Sequence, residues 1–133
     1  MPRPEQRQLP DRLLRKAAAD LTAARALADD PDQADEVVGF HVQQAVEKSV
    51  KAVLAWLQIE YPLTHDIDFL VRLLTRRDAP VPGVLLEARW VSMWGVVTRY
   101  EDVETVLDRV EAIEVATVAI AWAREVVPVP DEA

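Results

Sequence analysis

The sequence predicts an all-α protein, an up-and-down bundle of four to five helices, and three observations lead there. Apolar residues recur with the helical period along most of the chain. There are three glycines, and most of the nine prolines lie near the ends or between periodic stretches, leaving too few tight turns for a β-sandwich. A chain of 133 residues, half of them hydrophobic, makes one domain and buries roughly two thirds of its unfolded surface. The expected layout is a flexible N-terminal arm over residues 1–10, a bundle over 11–127 and a frayed tail over 128–133.

The first helix is expected from about Asp11 to Ala28, with Leu14, Ala17, Ala18, Leu21, Ala24 and Arg25 along one stripe. Asp29-Asp30-Pro31 ends it, because proline disfavours helix in the residue before it. Asp32 is the expected N-cap of a second helix reaching about Leu57. Val38, Val42, Ala45, Ala52, Val53 and Trp56 hold its apolar positions. Gly39 inside that helix costs about 1 kcal/mol relative to alanine, which a close helix approach would explain.

The run Tyr61 to Asp66 reads as a turn into a short third helix. Thr64 or Asp66 can cap it, Asp68 suits the positive end of its dipole, and Phe69, Leu70, Leu73 and Leu74 give it an apolar face. Arg76 and Arg77 occupy its last turn, before a proline-rich loop from Asp78 to Gly83. A fourth helix is expected over Val84 to Val97, with Leu86, Trp90, Met93 and Val97 on one stripe. Trp94 lies off that stripe, where it can face a partner. After a break over Thr98 to Asp102, a fifth helix is expected from near Val103, with Val106, Val110, Ile113, Thr117, Ile120 and Arg124 at helical spacing.

Composition excludes several classes of function. Without cysteine there are no disulfides, thiolate zinc sites or cysteine nucleophile, and the chain suits a reducing cytoplasm. No apolar leader opens the sequence, and no uncharged run nears the ~20 residues that span a bilayer. The net charge of −8 is uneven: residues 101–133 hold two basic and nine acidic side chains. No basic face is visible, so a general nucleic-acid coat is disfavoured and DNA is not an expected partner. A local nucleotide or RNA site remains compatible with that balance.

The densest polar cluster lies in the second helix: His41, Gln43, Gln44, Glu47, Lys48 and Lys51. Gln44, Lys48 and Lys51, four and three apart, share one face, where two lysines can hold phosphate. The plainer reading is a Glu47–Lys51 ion pair on a solvated surface. His41 is equally readable as a packed boundary residue, and His65-Asp66 as a turn histidine beside a helix cap. Arg99-Tyr100, at the break before the last helix, can meet phosphate or pair with Glu101 or Asp102. The tryptophans read as packing anchors. Two histidines far apart give no metal signature, and no cofactor is expected.

Phe40-His41-Val42-Gln43-Gln44-Ala45-Val46-Glu47-Lys48-Ser49-Val50-Lys51-Ala52-Val53-Leu54 resembles the second-helix signature of the HEPN-domain family. Tyr61-Pro62-Leu63-Thr64-His65-Asp66-Ile67 is similar to that family's turn motif, and Arg99-Tyr100 to its Arg-Tyr pair. The resemblance covers residues 11–126 and implies an all-α bundle, commonly a homodimer. Many members are encoded beside a minimal nucleotidyltransferase and form a complex or toxin–antitoxin pair with it; others are metal-independent ribonucleases. The ribonucleases carry a histidine five to seven positions after an arginine. From Arg99 those positions hold Glu104, Thr105 and Val106, and no histidine follows.

The resemblance therefore implies a non-catalytic partner subunit of a minimal nucleotidyltransferase, with a nucleotide or RNA cleft drawn from Gln44, Lys48, Lys51, His65, Asp66, Arg99 and Tyr100. The alternative it leaves is a divergent ribonuclease toxin in which another residue replaces the missing histidine. The acidic last helix is the expected docking face for a basic partner.

Overall fold

The structure, a computed structural model, describes residues 4–95 and 106–128. Among the described residues six helices follow one another: α1 (Pro4–Ala28), α2 (Asp35–Trp56), α3 (Ile67–Thr75), α4 (Gly83–Leu86), α5 (Arg89–Met93) and α6 (Arg109–Val126). No strand occurs among the described residues. The class is all-α, as expected.

The three long helices form the frame, with α2 packed most extensively on α1 and then on α6. The short loop after Ala28 makes α1 and α2 antiparallel. Arg109, at the start of α6, reaches the end of α1 and Asp35 at the start of α2, so α6 runs parallel to α2. Helix α3 packs on α2 and α5, and α4 packs on α6.

Helix α1 starts at Pro4, upstream of the expected Asp11, so residues 4–10 extend the helix rather than forming a separate arm. Pro4 falls in the first turn, where a missing N–H costs nothing; Pro10 lies inside the helix, where it does. Helix α2 starts at Asp35, not after Asp32. Its N-cap, Ala34, has no side-chain cap, and the Asp30 carboxylate instead accepts from Asp32 N–H at 2.9 Å within the turn.

Helix α2 closes with Ile59 N–H bonded to the Leu54 carbonyl, and α3 with Ala79 N–H bonded to the Leu74 carbonyl. Both are Schellman closures. Each places a non-glycine residue in the left-handed region, Gln58 at φ 59° and Asp78 at φ 56°.

Two segments differ from expectation in extent and in the face they bury. The fourth helix is two short ones, α4 and α5. Leu85, Ala88, Val91 and Trp94 face the core, while Leu86 and Met93, on the expected stripe, are exposed. Helices of four and five residues carry too little period to fix a phase. Trp94 is buried, and its ring explains Gly39: a Cβ there would lie 2.6 Å from Trp94 Cε3. Val97 lies outside the described residues.

The last helix begins at Arg109, where Asp108 caps it by accepting from Glu111 N–H at 3.1 Å; the expected break over Thr98 to Asp102 and the expected start near Val103 lie outside the described residues. Leu107 N–H is donated to Asp35 Oδ2 at 3.1 Å. Val106 and Val110 are 82% and 80% exposed. The buried face is Ala112, Val115, Ala116, Ala119, Ile120, Trp122 and Ala123, so Ile120 is the member of the expected stripe that is fully buried, and four positions of the face are alanines.

Candidate functional site on the second helix

The polar cluster of α2 is held by two buried or half-buried carboxylates rather than presented to solvent. The first is Glu47, whose side chain is 5% exposed. Its Oε1 accepts from Gln43 Nε2 at 2.9 Å and lies 2.8 Å from His65 Nδ1; its Oε2 accepts from Lys51 Nζ at 3.2 Å. Both i,i+4 bonds follow from helical geometry. The bond to His65 does not, since it joins α2 to the turn before α3. Three donors around one carboxylate supply what a buried charge requires.

Gln43 extends this network. It is fully buried, and its Oε1 accepts from Gln44 Nε2 at 2.7 Å while its Nε2 also reaches the His65 carbonyl at 3.4 Å. Gly95 leaves room for it: a Cβ at position 95 would lie 2.8 Å from Gln43 Cδ. Lys51 Nζ also stands 5.8 Å from the Tyr61 ring centroid, within cation–π range. Burial, and then the Glu47 charge, push the Tyr61 hydroxyl above its ordinary value of 10.0.

The second carboxylate is Asp20 on α1. Its Oδ2 accepts from Lys48 Nζ at 2.6 Å, and its Oδ1 lies 3.0 Å from His41 Nδ1. The Phe40 ring meets the His41 ring edge-on at 5.6 Å between centroids. His41 thus has an orienting partner that no local sequence signal reveals.

The expected site residues therefore divide. Gln44, Lys51 and His65 gather on Glu47, directly or through Gln43, whereas Lys48 turns to Asp20 and His41. Asp66 is the cap of α3, accepting from Phe69 N–H at 3.2 Å, and its own N–H is donated to Thr64 Oγ1 at 3.1 Å. Arg99 and Tyr100 lie outside the described residues. The Glu47–Lys51 ion pair exists, but on the buried side of α2 rather than on a solvated face. Sequence reasoning missed Gln43 and Glu47 as the hub and missed Asp20 altogether. The Gln43–Glu47 spacing was a usable signal, because a polar i,i+4 pair interrupts an apolar face.

Neither Lys48 nor Lys51 is a free cation: each already donates to a carboxylate, so a phosphate at either would have to share the ammonium with that carboxylate or displace it. Of the side chains gathered on Glu47, His65 reaches well into solvent, with 73% of its side chain exposed. Among the described residues no group of three or more His, Cys, Asp or Glu could hold a metal ion. No helix among them is long and apolar enough to cross a membrane.

A family model described as HEPN domain matches residues 11–129. No curated protein and no solved structure matches the chain.

Proposed function

The chain belongs to the HEPN family, and from that premise we propose that it is the helical partner subunit of a minimal nucleotidyltransferase in a two-component, toxin–antitoxin-type module. In this reading the subunit works in the cytoplasm as a homodimer that docks the transferase. The observation that carries it is the placement of the histidines. The chain has two, His41 and His65, both upstream of Arg99, so the acid–base pair of the family's ribonucleases has no direct counterpart.

The outer face of α6 supports a docking role. Asp108, Glu111, Glu114 and Glu125 are exposed there, a surface that a basic partner would complement and that salt would screen. Nucleotide binding in this reading draws on Gln44, Lys48, Lys51, His65 and Asp66 with Arg99 and Tyr100. The carboxylates already on the two lysines make it the weaker part.

Co-expression with a minimal nucleotidyltransferase, taken from the adjacent reading frame where that frame encodes one, tests the proposal. A stable complex on size exclusion, loosened by Glu111→Lys/Glu114→Lys, is expected; two proteins that elute separately at low salt would sink it. A second reading, a divergent metal-independent ribonuclease, is favoured by one observation: the exposed His65 imidazole is held by the buried Glu47 carboxylate.

A further inference from the structure

We propose that the cavity where α2, α3 and α6 end is a binding site for a small apolar monocarboxylate. Arg77 receives the carboxylate and the cavity takes the hydrocarbon. This site uses none of the residues named for docking or nucleotide binding, so it stands apart from those readings.

The cavity holds about 440 Å3, within the range of about 300–1,000 Å3 that small-molecule sites occupy. Helices α2 and α6 run parallel and end on the same side of the bundle, and the chain leaving α3 lines the same space. Val53 and Ile59 are buried there, Ala79 and Val126 half-buried, and Leu57 is exposed. The apolar lining thus grades from core to solvent, and a hydrocarbon chain laid along it would cover Leu57.

Two costly backbone reversals build this wall. Gln58 and Asp78 are the non-glycine residues of the described chain with positive φ, a conformation unfavourable to any residue with a Cβ. Each separates two lining residues: Leu57 from Ile59, and Arg77 from Ala79. Both reversals therefore serve one space. Backbone strain gathered around a single cavity is the pattern of a built site rather than of a packing gap.

The polar groups fix the ligand's chemistry. Helix ends ordinarily offer carbonyl acceptors, but here the closures occupy them. The carbonyls of Val53, Leu54 and Ala55 accept from the N–H groups of residues 57–59, and those of Arg72, Leu74 and Thr75 from residues 76–79. The Pro80 carbonyl accepts from Trp122 Nε1 at 3.0 Å. Arg77 is the charged residue of the lining, and among the described residues it has no ion-pair partner. A guanidinium brings donors and no acceptor. The polar end that fits it is an anion with two acceptor oxygens, and a carboxylate matches its planar fork. No second cation lines the cavity, which disfavours a di- or triphosphate in the same place.

The test uses the full chain and straight-chain carboxylates from butanoate to decanoate. Octanol and octylamine are the neutral and cationic controls. Isothermal calorimetry gives affinity and stoichiometry, and the rise in melting temperature reports binding to the folded state. Octanoate is expected to bind at one site per chain, with affinity rising roughly fourfold per added CH2 until the cavity is full. Arg77→Gln should weaken octanoate at least about fivefold, the upper end for an exposed ion pair, and leave octanol within about twofold. Ala79→Leu fills the cavity with carbon and should weaken both ligands at least about tenfold.

The site is overturned if octanoate shows no saturable binding at millimolar concentration. It is equally overturned if octanol or octylamine binds as tightly as octanoate, or if Arg77→Gln holds octanoate within about twofold of wild type. Several octanoates per chain, indifferent to Ala79→Leu, would show adsorption to exposed apolar surface and also sink it. Should Ala79→Leu not fold, the exposed Arg77→Gln substitution and the contrast between octanoate and octanol decide.

Discussion

Replacing Arg109 with alanine tests how the bundle is closed. Arg109 is the first residue of α6, where the helix dipole disfavours a cation. Its contacts explain why it is there. Nε donates to Asp35 Oδ1 at 2.9 Å, Nη2 to the Gln33 carbonyl at 2.6 Å, and Nη1 to the Ala28 and Asp30 carbonyls at 3.1 Å each. The Leu27 carbonyl is a longer contact at 3.4 Å. Leu27 and Ala28 end α1, so the guanidinium satisfies carbonyls that the helix leaves open.

The magnitude lies between two limits. An exposed ion pair is worth about 0–1 kcal/mol, and breaking a buried one costs about 3–5 kcal/mol. The side chains here are 22% and 26% exposed, and the freed carbonyls can partly rehydrate. Arg109→Ala should therefore cost about 2–4 kcal/mol, a large share of a stability near 5–15 kcal/mol. Arg109→Lys keeps the charge but not the planar fork, and should recover no more than about half. Urea unfolding followed by far-ultraviolet circular dichroism measures both. A loss within about 0.5 kcal/mol for the alanine variant, or a lysine variant equal to wild type, would refute the account.

Gly39→Ala should destabilise although alanine is the better helix former by about 1 kcal/mol, because its Cβ would meet Trp94 Cε3 at 2.6 Å and overpacking costs about 1–3 kcal/mol. In a Trp94→Ala background the same change should stabilise, and thermal melts of the four proteins check the sign reversal. Gln58→Gly and Asp78→Gly should each add about 0.5–1 kcal/mol by relieving left-handed backbone; a loss in urea titrations would contradict that. Because burial and the Glu47 charge raise the Tyr61 hydroxyl, the fold favours its neutral form. That contribution is present below the ordinary value of 10.0 and is lost as pH rises through the higher folded value. Tyr61→Phe should flatten this part of the alkaline limb, and Glu47→Gln should lower the Tyr61 titration seen by phenolate absorbance in a Tyr100→Phe background.

Much of the fold was legible because local chemistry marks it. Asp29-Asp30-Pro31 stops α1, Asp66 caps α3, and the Val38, Val42, Ala45 and Val53 stripe is buried. The phase of α6 was not. Val106, Val110 and Ile113 outweigh Ala112, Ala116, Ala119 and Ala123 in hydrophobicity, yet the alanines face the core, since close packing selects for small size there. The site was half legible. Gln43–Glu47 and Glu47–Lys51 follow from i,i+4 spacing, whereas Asp20 with Lys48 and Glu47 with His65 join residues 28 and 18 positions apart. Nothing local announces such pairs.

The two glycine contacts beside α2 constrain the routes by which this chain can change. Gly39 faces the Trp94 ring and Gly95 faces the Gln43 amide, so a side chain added at either glycine meets a group fixed by burial. A larger residue at 39 becomes acceptable only after position 94 has shrunk, and one at 95 only after position 43 has. The reverse order passes through a destabilised intermediate. In a lineage of such sequences these positions should change in pairs, with the bulky partner giving way first.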